Sequence, residues 1–276
     1  MVIRFVLRAA WYRVYEYLRL RYERWKNEPF LFAPWDEDYP LISVYIPTFN
    51  RVDLLMSRAL PSVLKQSYEN IEVIVAAHGC TDDTVKAVKS LFDRRGRVIE
   101  VPRTKTYPPT AENHWFAGPV VPANAALDEC KGEWIARVDD DDMWTLDHLE
   151  LLFCKARKEG VEFISGVHTT NGGEVVPYKY GRKYIGGTQT WMYRSYLRFM
   201  KYNPDCWRKK WNRVNDIDLQ TRFVNAGVRI GYLSRVIAYV LPRPNEKVVG
   251  LKAYIDDRSE KERHYAFTEH NPQQQH

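Results

Sequence analysis

Short apolar runs alternate with helical segments through the middle of the chain. The runs predict strands at residues 41–46, 71–77, 98–101 and 134–138. The segments between them predict helices at residues 52–66, 84–92, 123–130 and 146–158. Apolar strands that alternate with helices are typical of a mostly parallel sheet with helices on both faces. The pattern therefore predicts an α/β fold, with a loop at 102–122 where Pro, Asn and His are frequent.

Residues 2–26 have the pattern of a single amphipathic helix. Large apolar residues recur there at steps of three and four: Ile3, Leu7, Trp11, Val14, Leu18, Tyr22 and Trp25. Seven residues of the segment are basic and two are acidic. A basic helix rich in Trp and Tyr suits a membrane interface, and packing on its own domain or on a partner subunit explains the pattern equally well. Three prolines then mark a linker: Pro29, Pro34 and Pro40.

Length and composition fit one large α/β domain with extensions. Of the 276 residues, 45% are hydrophobic, which is enough for a sizeable core. We divide the chain into the helix and linker at 1–39, the α/β domain at 40–245, and a C-terminal extension at 246–276 whose end we expect to be disordered. The net charge of +6 allows an anionic partner such as a phosphate-bearing donor or a lipid surface. Because the basic residues are spread, nucleic acid is not expected as a partner.

The cysteines and the N-terminus indicate a compartment. The four cysteines are widely spaced and form no CxxC pair, which argues against a zinc site or a disulfide framework and favours a reducing compartment. Arg4, Arg8 and Arg13 interrupt the first apolar stretch before it could form a signal core or a membrane span. We therefore expect a cytoplasmic protein, with peripheral membrane contact through residues 2–26 as an open alternative.

Four consecutive aspartates, residues 139–142, end the apolar run at 134–138. A buried strand delivers its last residues to the carboxyl edge of a sheet, where open α/β folds bind their ligands. Adjacent carboxylates repel one another by about 1 kcal/mol per pair even in water, so we expect a positive partner. Hard cations such as Mg²⁺ or Mn²⁺ take oxygen ligands of this kind. The alternative is a solvated acidic turn.

Four motifs follow one another in the order and spacing of a known enzyme family. They are residues 43–51, 71–75 with 79–84, 124–127 with 131–136, and 215–219 with Arg222 and Gly227. Together they cover about residues 41–240 and resemble the inverting, nucleotide-sugar-dependent glycosyltransferases of family 2. The resemblance implies the GT-A fold, a Rossmann-like and mostly parallel sheet flanked by helices, for the domain at 40–245.

The resemblance also implies roles on the donor side. Asp141 would hold Mn²⁺ or Mg²⁺, Asp139 would face the ribose, and Asp140 would lie near the nucleotide or the metal. The metal would stabilise the departing diphosphate. Arg243, in the loop after the last core strand, would meet the diphosphate as that loop closes. Further donor contacts are expected from Pro47, Thr48, Asn50, Arg51 and His78.

Inversion needs a general base that takes the proton of the acceptor hydroxyl. The fourth motif supplies that carboxylate, and we assign it to Asp216, with Asp218 as the competitor. A helix N-cap at Asn215 or Asp216 is the structural alternative. Asn215 itself replaces the Glu of the family motif.

The chain departs from the family where the nucleotide base is held. Ala77 and His78 stand at the end of the second strand, where two aspartates are frequent and the first commonly contacts the base. The carboxylate that would hold uracil is therefore absent from these two positions. A UDP-sugar remains the first expectation, and a GDP- or dTDP-sugar is the alternative. Ala77, His78 and Ala123, which replaces an Arg, also motivate a catalytically inactive scaffold or carbohydrate-binding protein as an alternative. A sugar-phosphate nucleotidyltransferase would need a Gly-rich loop, which 47–51 is not.

The acceptor side is less specific. Residues 186–191, Gly-Gly-Thr-Gln-Thr-Trp, occupy the place where such enzymes bind acceptor and donor sugar. Trp191 would offer a stacking face, and a core Trp beside a Gly-containing strand is the alternative. We expect the acceptor to be a hydroxyl of a glycan or of a lipid-linked molecule.

Overall fold

The fold is described from a computed structural model. It describes the backbone of residues 2–31, 39–92, 95–104, 107–244 and 246–256. Within the first helix, side chains are described for residues 11–27. Most of the predicted linker and the tail from residue 257 onward lie outside these ranges.

A mixed sheet forms the centre of the domain. Its order is β3-β2-β1-β4-β10-β6-β11-β5, with β7 paired to β6, while β8 and β9 form a separate two-stranded sheet. The neighbours β3, β2, β1 and β4 are parallel to one another, and β6 is parallel to β11. The remaining pairings are antiparallel: β10 with β4 and β6, β5 with β11, and β7 with β6. The four strands predicted from the sequence, β1 to β4, are parallel as expected, whereas the sheet as a whole is mixed. The strands are β1 (Ile42–Thr48), β2 (Ile71–His78), β3 (Gly96–Val101), β4 (Trp134–Arg137), β5 (Asp142–Trp144), β6 (Phe163–Thr170), β7 (Gly173–Glu174), β8 (Tyr178–Tyr180), β9 (Lys183–Ile185), β10 (Met192–Arg194) and β11 (Ile230–Val240).

Helices cover both faces of this sheet. Successive side chains of a strand point to opposite faces, so Val44 and Ile46 of β1 pack in one core cluster and Tyr45 in the other. The first cluster includes residues of α2 and α6, and the second includes residues of α5 and α7. The helices are α1 (Val2–Leu31), α2 (52–64, π-helical at Leu55–Ala59), α3 (Thr84–Leu91), α4 (Ala111–Ala117), α5 (Val120–Glu129), α6 (His148–Glu159), α7 (Asn215–Ala226) and α8 (Leu251–Asp256).

The predicted loop at 102–122 is wrong in its second half. Helix α4 occupies Ala111–Ala117, and α5 begins at Val120 rather than at residue 123. The side chain of Thr110 caps α4 by accepting a hydrogen bond from the backbone N–H of Asn113 at 3.2 Å. The nearby prolines lie outside Ala111–Ala117, so they do not interrupt this helix. His114 and Trp115 of α4 line the cavity described below.

The predicted N-terminal helix is confirmed, and the structure shows which side of it packs. Glu16, Leu20 and Glu23 are buried against the domain. Glu16 pairs with Arg222 of α7, and Arg24 donates to both carboxylate oxygens of Glu162 at 2.5 Å. The helix is thus attached through a largely polar side. In the part of the chain that the structure describes, no helix is both long and apolar enough to cross a bilayer.

The apolar stripe of α1 points away from the domain. The side chains that the sequence pattern groups together are exposed from residue 11 to 25: Trp11 64%, Val14 58%, Leu18 58%, Tyr22 48% and Trp25 72%. The amphipathic pattern therefore does not mark the surface that packs on the protein's own domain.

Candidate functional site

The residues singled out by the sequence converge on one cavity of about 530 Å³. It lies at the carboxyl ends of β1, β2 and β4, which are adjacent and parallel in the sheet. The start of α7 and the loop after β11 complete its wall. Of the predicted residues, those that line the cavity are Pro47, Thr48, Arg51, His78, Asp139, Asp140, Asp141, Asp216 and Arg243.

Arginines supply positive charge to the acidic run. Arg137, at the end of β4, donates two hydrogen bonds to Oδ1 of Asp139 at 3.0 and 2.8 Å. Arg51 donates to Oδ1 of Asp140 at 3.0 Å, and its Nη1 lies 3.5 Å from Oδ2 of Asp141. Asp141 also accepts from Nε of Arg243 at 2.8 Å. The carboxylate repulsion inferred from the sequence is thus offset by the guanidinium group of Arg137, which directly precedes the run, and by those of Arg51 and Arg243 from two other segments.

The acidic run is not a solvated turn. Asp140 is 3% and Asp142 is 5% exposed. Burial raises the pKa of Asp140 to about 6; the charge of Arg51 and a 2.7 Å hydrogen bond from Thr48 oppose this rise, while Asp141 adds to it. Burial, followed by the charges of Asp141 and Asp139, also raises the pKa of Asp142. Asp142 begins β5, where it pairs with Val240.

Asp141 fits a metal ion that is held jointly with a bound diphosphate. Among the described residues, no three His, Cys, Asp or Glu side chains cluster as a ligand set. Mg²⁺ and its analogues are often bound by one or two carboxylates together with substrate phosphates, so such a set is not required. Asp141 lines the cavity and its Oδ2 accepts from Arg243, while the two oxygens of the buried Asp140 accept from Thr48 and Arg51. The donor chemistry therefore suits a metal at Asp141.

The structure separates Asp216 from Asp218. Asp216 lines the cavity, where Oδ2 accepts from Thr188 at 2.5 Å and Oδ1 accepts from the backbone N–H of Ile217 at 2.8 Å. Asp218 is fully buried and pairs with Lys209 and, at 3.0 Å, with Arg222. Only Asp216 can be reached by a ligand in the cavity.

Neither predicted helix cap is present at the start of α7. The N-cap residue is Val214, which makes no side-chain cap. The amide of Asn215 instead donates to the carbonyl of Phe116 at 3.0 Å and accepts from Arg137 at 3.4 Å. Arg137 thus links the acidic run to the motif that carries Asp216.

Hydrogen bonds from Arg58 hold the loop after β11 next to the acidic run. Arg58 of α2 donates to the carbonyls of Asp141, Leu241 and Pro242 at 3.1, 3.2 and 2.9 Å. Glu246, Gly250 and Tyr254 also line the cavity. The domain boundary that we placed at 245/246 therefore divides residues of one site.

Two predicted site residues lie elsewhere. Trp191 is fully buried, packs its ring near Phe163 and Phe223, and donates to the carbonyl of Gly186 at 2.8 Å. The predicted stacking face is therefore wrong, because the indole belongs to the core. Asn50 is not a lining residue: it adopts a φ of 49° and its Oδ1 accepts from the backbone N–H of Thr81 at 2.7 Å. Asn50 joins the loops that follow β1 and β2.

Several residues of the site carry no signal in the sequence pattern. Arg58, Arg103 and Arg137 come from separate elements, and none of them lies in the four motifs or in residues 186–191. His168 also lines the cavity, and burial lowers its pKa to about 4. Only the tertiary fold brings these side chains together.

The comparison with protein families decides the classification. The model described as glycosyl transferase family 2 matches residues 43–220. The chain belongs to this family. The match contains the first three motifs and residues 215–219 of the fourth, and it ends within α7, before Arg222 and Gly227.

Known proteins share both sequence and fold with this family 2 chain. It is 29% identical over 130 residues to the Escherichia coli UDP-Glc:alpha-D-GlcNAc-diphosphoundecaprenol beta-1,3-glucosyltransferase WfgD, covering 47% of this chain and 46% of that protein. The chain spans less than half the length of the first curated relatives that it matches.

Two solved structures show the GT-A fold. S. aureus TarS in complex with UDP-GlcNAc superposes with a TM-score of 0.57 at 20% identity, over 74% of this chain and 59% of that one. Pyrobaculum calidifontis mannosyltransferase PcManGT, in complex with GDP-Man and Mn²⁺, superposes with a TM-score of 0.55 at 20% identity, over 88% and 69%. The predicted GT-A fold is confirmed.

Proposed function

We propose that the chain transfers a sugar, with inversion, from a nucleoside diphosphate donor to a hydroxyl of a lipid-linked glycan. Family membership supports the reaction class, and the acceptor named for WfgD, a diphosphoundecaprenol, supports the acceptor class. The observation that carries the proposal is one cavity that holds both the acidic run at 139–142 and the separate carboxylate of Asp216. A UDP-, GDP- or dTDP-sugar would meet these requirements.

Asp216 is the base in this proposal. Its carboxylate takes the proton of the acceptor hydroxyl as the oxygen attacks C1 of the donor sugar and the nucleoside diphosphate departs. The hydrogen bond from Thr188 fixes one carboxylate oxygen, so the carboxylate is oriented before the acceptor binds. Arg51 and Arg243 lie at Asp141, where they can donate to the leaving diphosphate.

A divalent cation is part of the proposal. Asp141 would hold Mn²⁺ or Mg²⁺ together with the donor diphosphate. The cation would stabilise negative charge on the leaving group. The side chain of Asp139 is 35% exposed, and its Oδ1 accepts a hydrogen bond from Arg137. Its other carboxylate oxygen would face the ribose.

The reaction can be tested by screening donors. The protein is incubated with Mn²⁺, a panel of nucleotide sugars and an undecaprenyl-diphosphate-linked sugar, and both nucleotide release and the anomeric configuration of the product are measured. We expect acceptor-dependent release with one donor and inversion at C1. Retention of configuration, or the absence of transfer from every donor, would contradict the proposal.

We also propose that α1 brings the domain to an anionic membrane surface. Its exposed stripe includes a groove of about 330 Å³ lined by Trp11, Val14, Tyr15, Leu18, Arg19 and Tyr22. Arg13, Arg21 and Lys26 are exposed on the same helix. Apolar side chains flanked by basic ones suit an interfacial helix on anionic lipid. Contact with the membrane would bring the cavity close to a lipid-linked acceptor.

A further inference from the structure

One corner of the cavity is built from a histidine, an arginine and a phenylalanine. His78 ends β2, Arg103 follows the end of β3 by two residues, and Phe49 directly follows β1. All three line the cavity. The family resemblance assigns the end of β2 to the nucleotide base, so a preference for one base here depends on the proposed function.

The contact between His78 and Arg103 determines the tautomer of the imidazole. Nη1 of Arg103 lies 3.0 Å from Nδ1 of His78. A guanidinium group can only donate, so Nδ1 must be the acceptor. Burial, followed by the charge of Arg103, lowers the pKa of His78 to about 3, and the ring is therefore neutral at pH 7. Its single N–H proton must lie on Nε2.

Among the residues that the structure describes, this buried Nε2–H donor has no partner. His78 is 2% exposed, and Nε2 makes no hydrogen bond to any residue in the described part of the chain. Buried polar groups are nearly always hydrogen-bonded, so a donor in the wall of a ligand cavity indicates an acceptor on the ligand.

Arg103 adds a second donor to this corner. Its guanidinium lies over the ring of Phe49, 4.1 Å from the centroid, which fixes its plane beside His78. Ala77, the neighbouring position, contributes no polar side chain. The corner therefore presents donors where family members often present a carboxylate acceptor.

Bases differ in how they meet two donors. Uracil and thymine place the N3–H donor between their carbonyls, and adenine places an amino donor beside N7. Cytosine has two adjacent acceptors, O2 and N3, but O2 lies next to the ribose. Guanine presents O6 and N7 side by side, and an arginine on this pair is the commonest specific protein–base contact. We propose that His78 Nε2–H and the Arg103 guanidinium donate to O6 and N7 of guanine, so that the donor is a GDP-sugar.

Nucleotide binding by the full chain tests this proposal directly. The affinities of GDP, UDP, dTDP, CDP and ADP are measured by calorimetry with Mn²⁺ present, and GDP is expected to bind most tightly, by about tenfold or more. Inosine diphosphate, which keeps O6 and N7, should bind much as GDP does. 7-Deaza-GDP, which lacks the N7 acceptor, should bind about tenfold more weakly than GDP.

The possible results separate the two proposals. If another diphosphate binds more tightly than GDP, or if 7-deaza-GDP equals GDP, the guanine assignment is overturned and the transferase proposal is untouched. If none of the five diphosphates binds, the proposed function fails and the base assignment fails with it.

Substitution of His78 gives an independent test. His78→Asp replaces the donor by an acceptor, and the ratio of GDP to UDP affinity should fall about tenfold or more. Inorganic pyrophosphate has no base, so its unchanged affinity would show that the variant is folded and that its diphosphate site is intact. An unchanged GDP to UDP ratio in such a variant would overturn the proposal. Should the variant not fold, the comparison of GDP with 7-deaza-GDP on the natural protein still decides.

Discussion

Nε of Arg243 lies 2.8 Å from Oδ2 of Asp141, although 102 residues separate the two in the chain. Nη1 of the same guanidinium donates to Glu246 at 3.2 Å. Arg58 fixes the carbonyls of the two preceding residues. The loop after β11 is thus closed over the acidic run, and Arg243 holds the carboxylate that we assign to the metal.

Arg243 contacts Asp141 and would compete with a cation bound there, so Arg243→Ala should have opposite effects on two ligands. Mn²⁺ alone should bind more tightly, since a positive charge has been removed. A nucleoside diphosphate should bind about tenfold more weakly, since a charge-assisted hydrogen bond of ~1.4 kcal/mol or more is lost. Titration calorimetry measures both. Arg235→Ala is the matched control, because this exposed arginine pairs with Asp147 outside the cavity. Equal changes in the two variants would contradict the assignment.

The sequence predicted those elements whose burial is evident from their own composition. The strands β1 and β2 are almost entirely buried, so their composition alone indicates a central position in the sheet. Helix α4 was missed because prolines flank it on both sides, although none lies within Ala111–Ala117. Strand β5 was missed because it spans only Asp142–Trp144 and begins inside the acidic run.

Site residues were predicted only where a short stretch of sequence contains a recognisable group of functional side chains. The aspartates at 139–142 and Asp216 could be found in this way. Arg58 and Arg103 could not, because their positions depend on how distant elements pack. The orientation of α1 is a similar case: the pairing of Glu16 with Arg222 of α7 decides which side faces inward, and no periodicity within α1 contains that information.

Asp141→Ala should abolish turnover and the metal-dependent part of nucleotide binding. Asp141 is the carboxylate of the acidic run that we assign to the cation, and its loss removes the charge that binds Mn²⁺. Turnover, and nucleotide affinity with and without Mn²⁺, are the measurements. Asp128→Ala provides the control, because Asp128 is an exposed carboxylate whose ion pair with Lys201 lies outside the cavity. Full activity of the natural protein in excess EDTA would refute metal dependence.

Substitution of Asp216 should change turnover, whereas substitution of Asp218 should change the stability of the fold. Asp216→Asn should lower the turnover number by about 10²–10⁴ and leave donor binding intact, because a positioned base is lost. Asp218→Asn should instead lower the free energy of unfolding by about 3–5 kcal/mol, because Lys209 and Arg222 lose a buried partner. Steady-state kinetics and chemical denaturation distinguish the two. A stable, inactive Asp218→Asn protein beside an active Asp216→Asn protein would reverse the assignment.

Exposed residues of α1 should control binding to anionic vesicles. Trp11→Ser, Leu18→Ser and Trp25→Ser, combined in one variant, remove three apolar side chains that do not pack on the domain. Deleting the whole helix is a poorer test, because Arg222 and Glu162 would lose their partners Glu16 and Arg24. Trp211→Ser is the matched control, because Trp211 is 82% exposed on another part of the domain.

Co-sedimentation with vesicles of phosphatidylglycerol and phosphatidylcholine shows whether the exposed stripe binds a membrane or a second copy of the chain. The natural protein and Trp211→Ser should bind vesicles that contain phosphatidylglycerol and dissociate as salt rises, since each basic residue near the surface contributes about 1 kcal/mol of screened attraction. The triple variant should stay in solution and keep its activity on a water-soluble acceptor, because none of the three substituted residues lines the cavity. If the natural protein does not bind vesicles but sediments as a dimer that the triple variant cannot form, the stripe is an interface between two copies, and the membrane proposal is wrong.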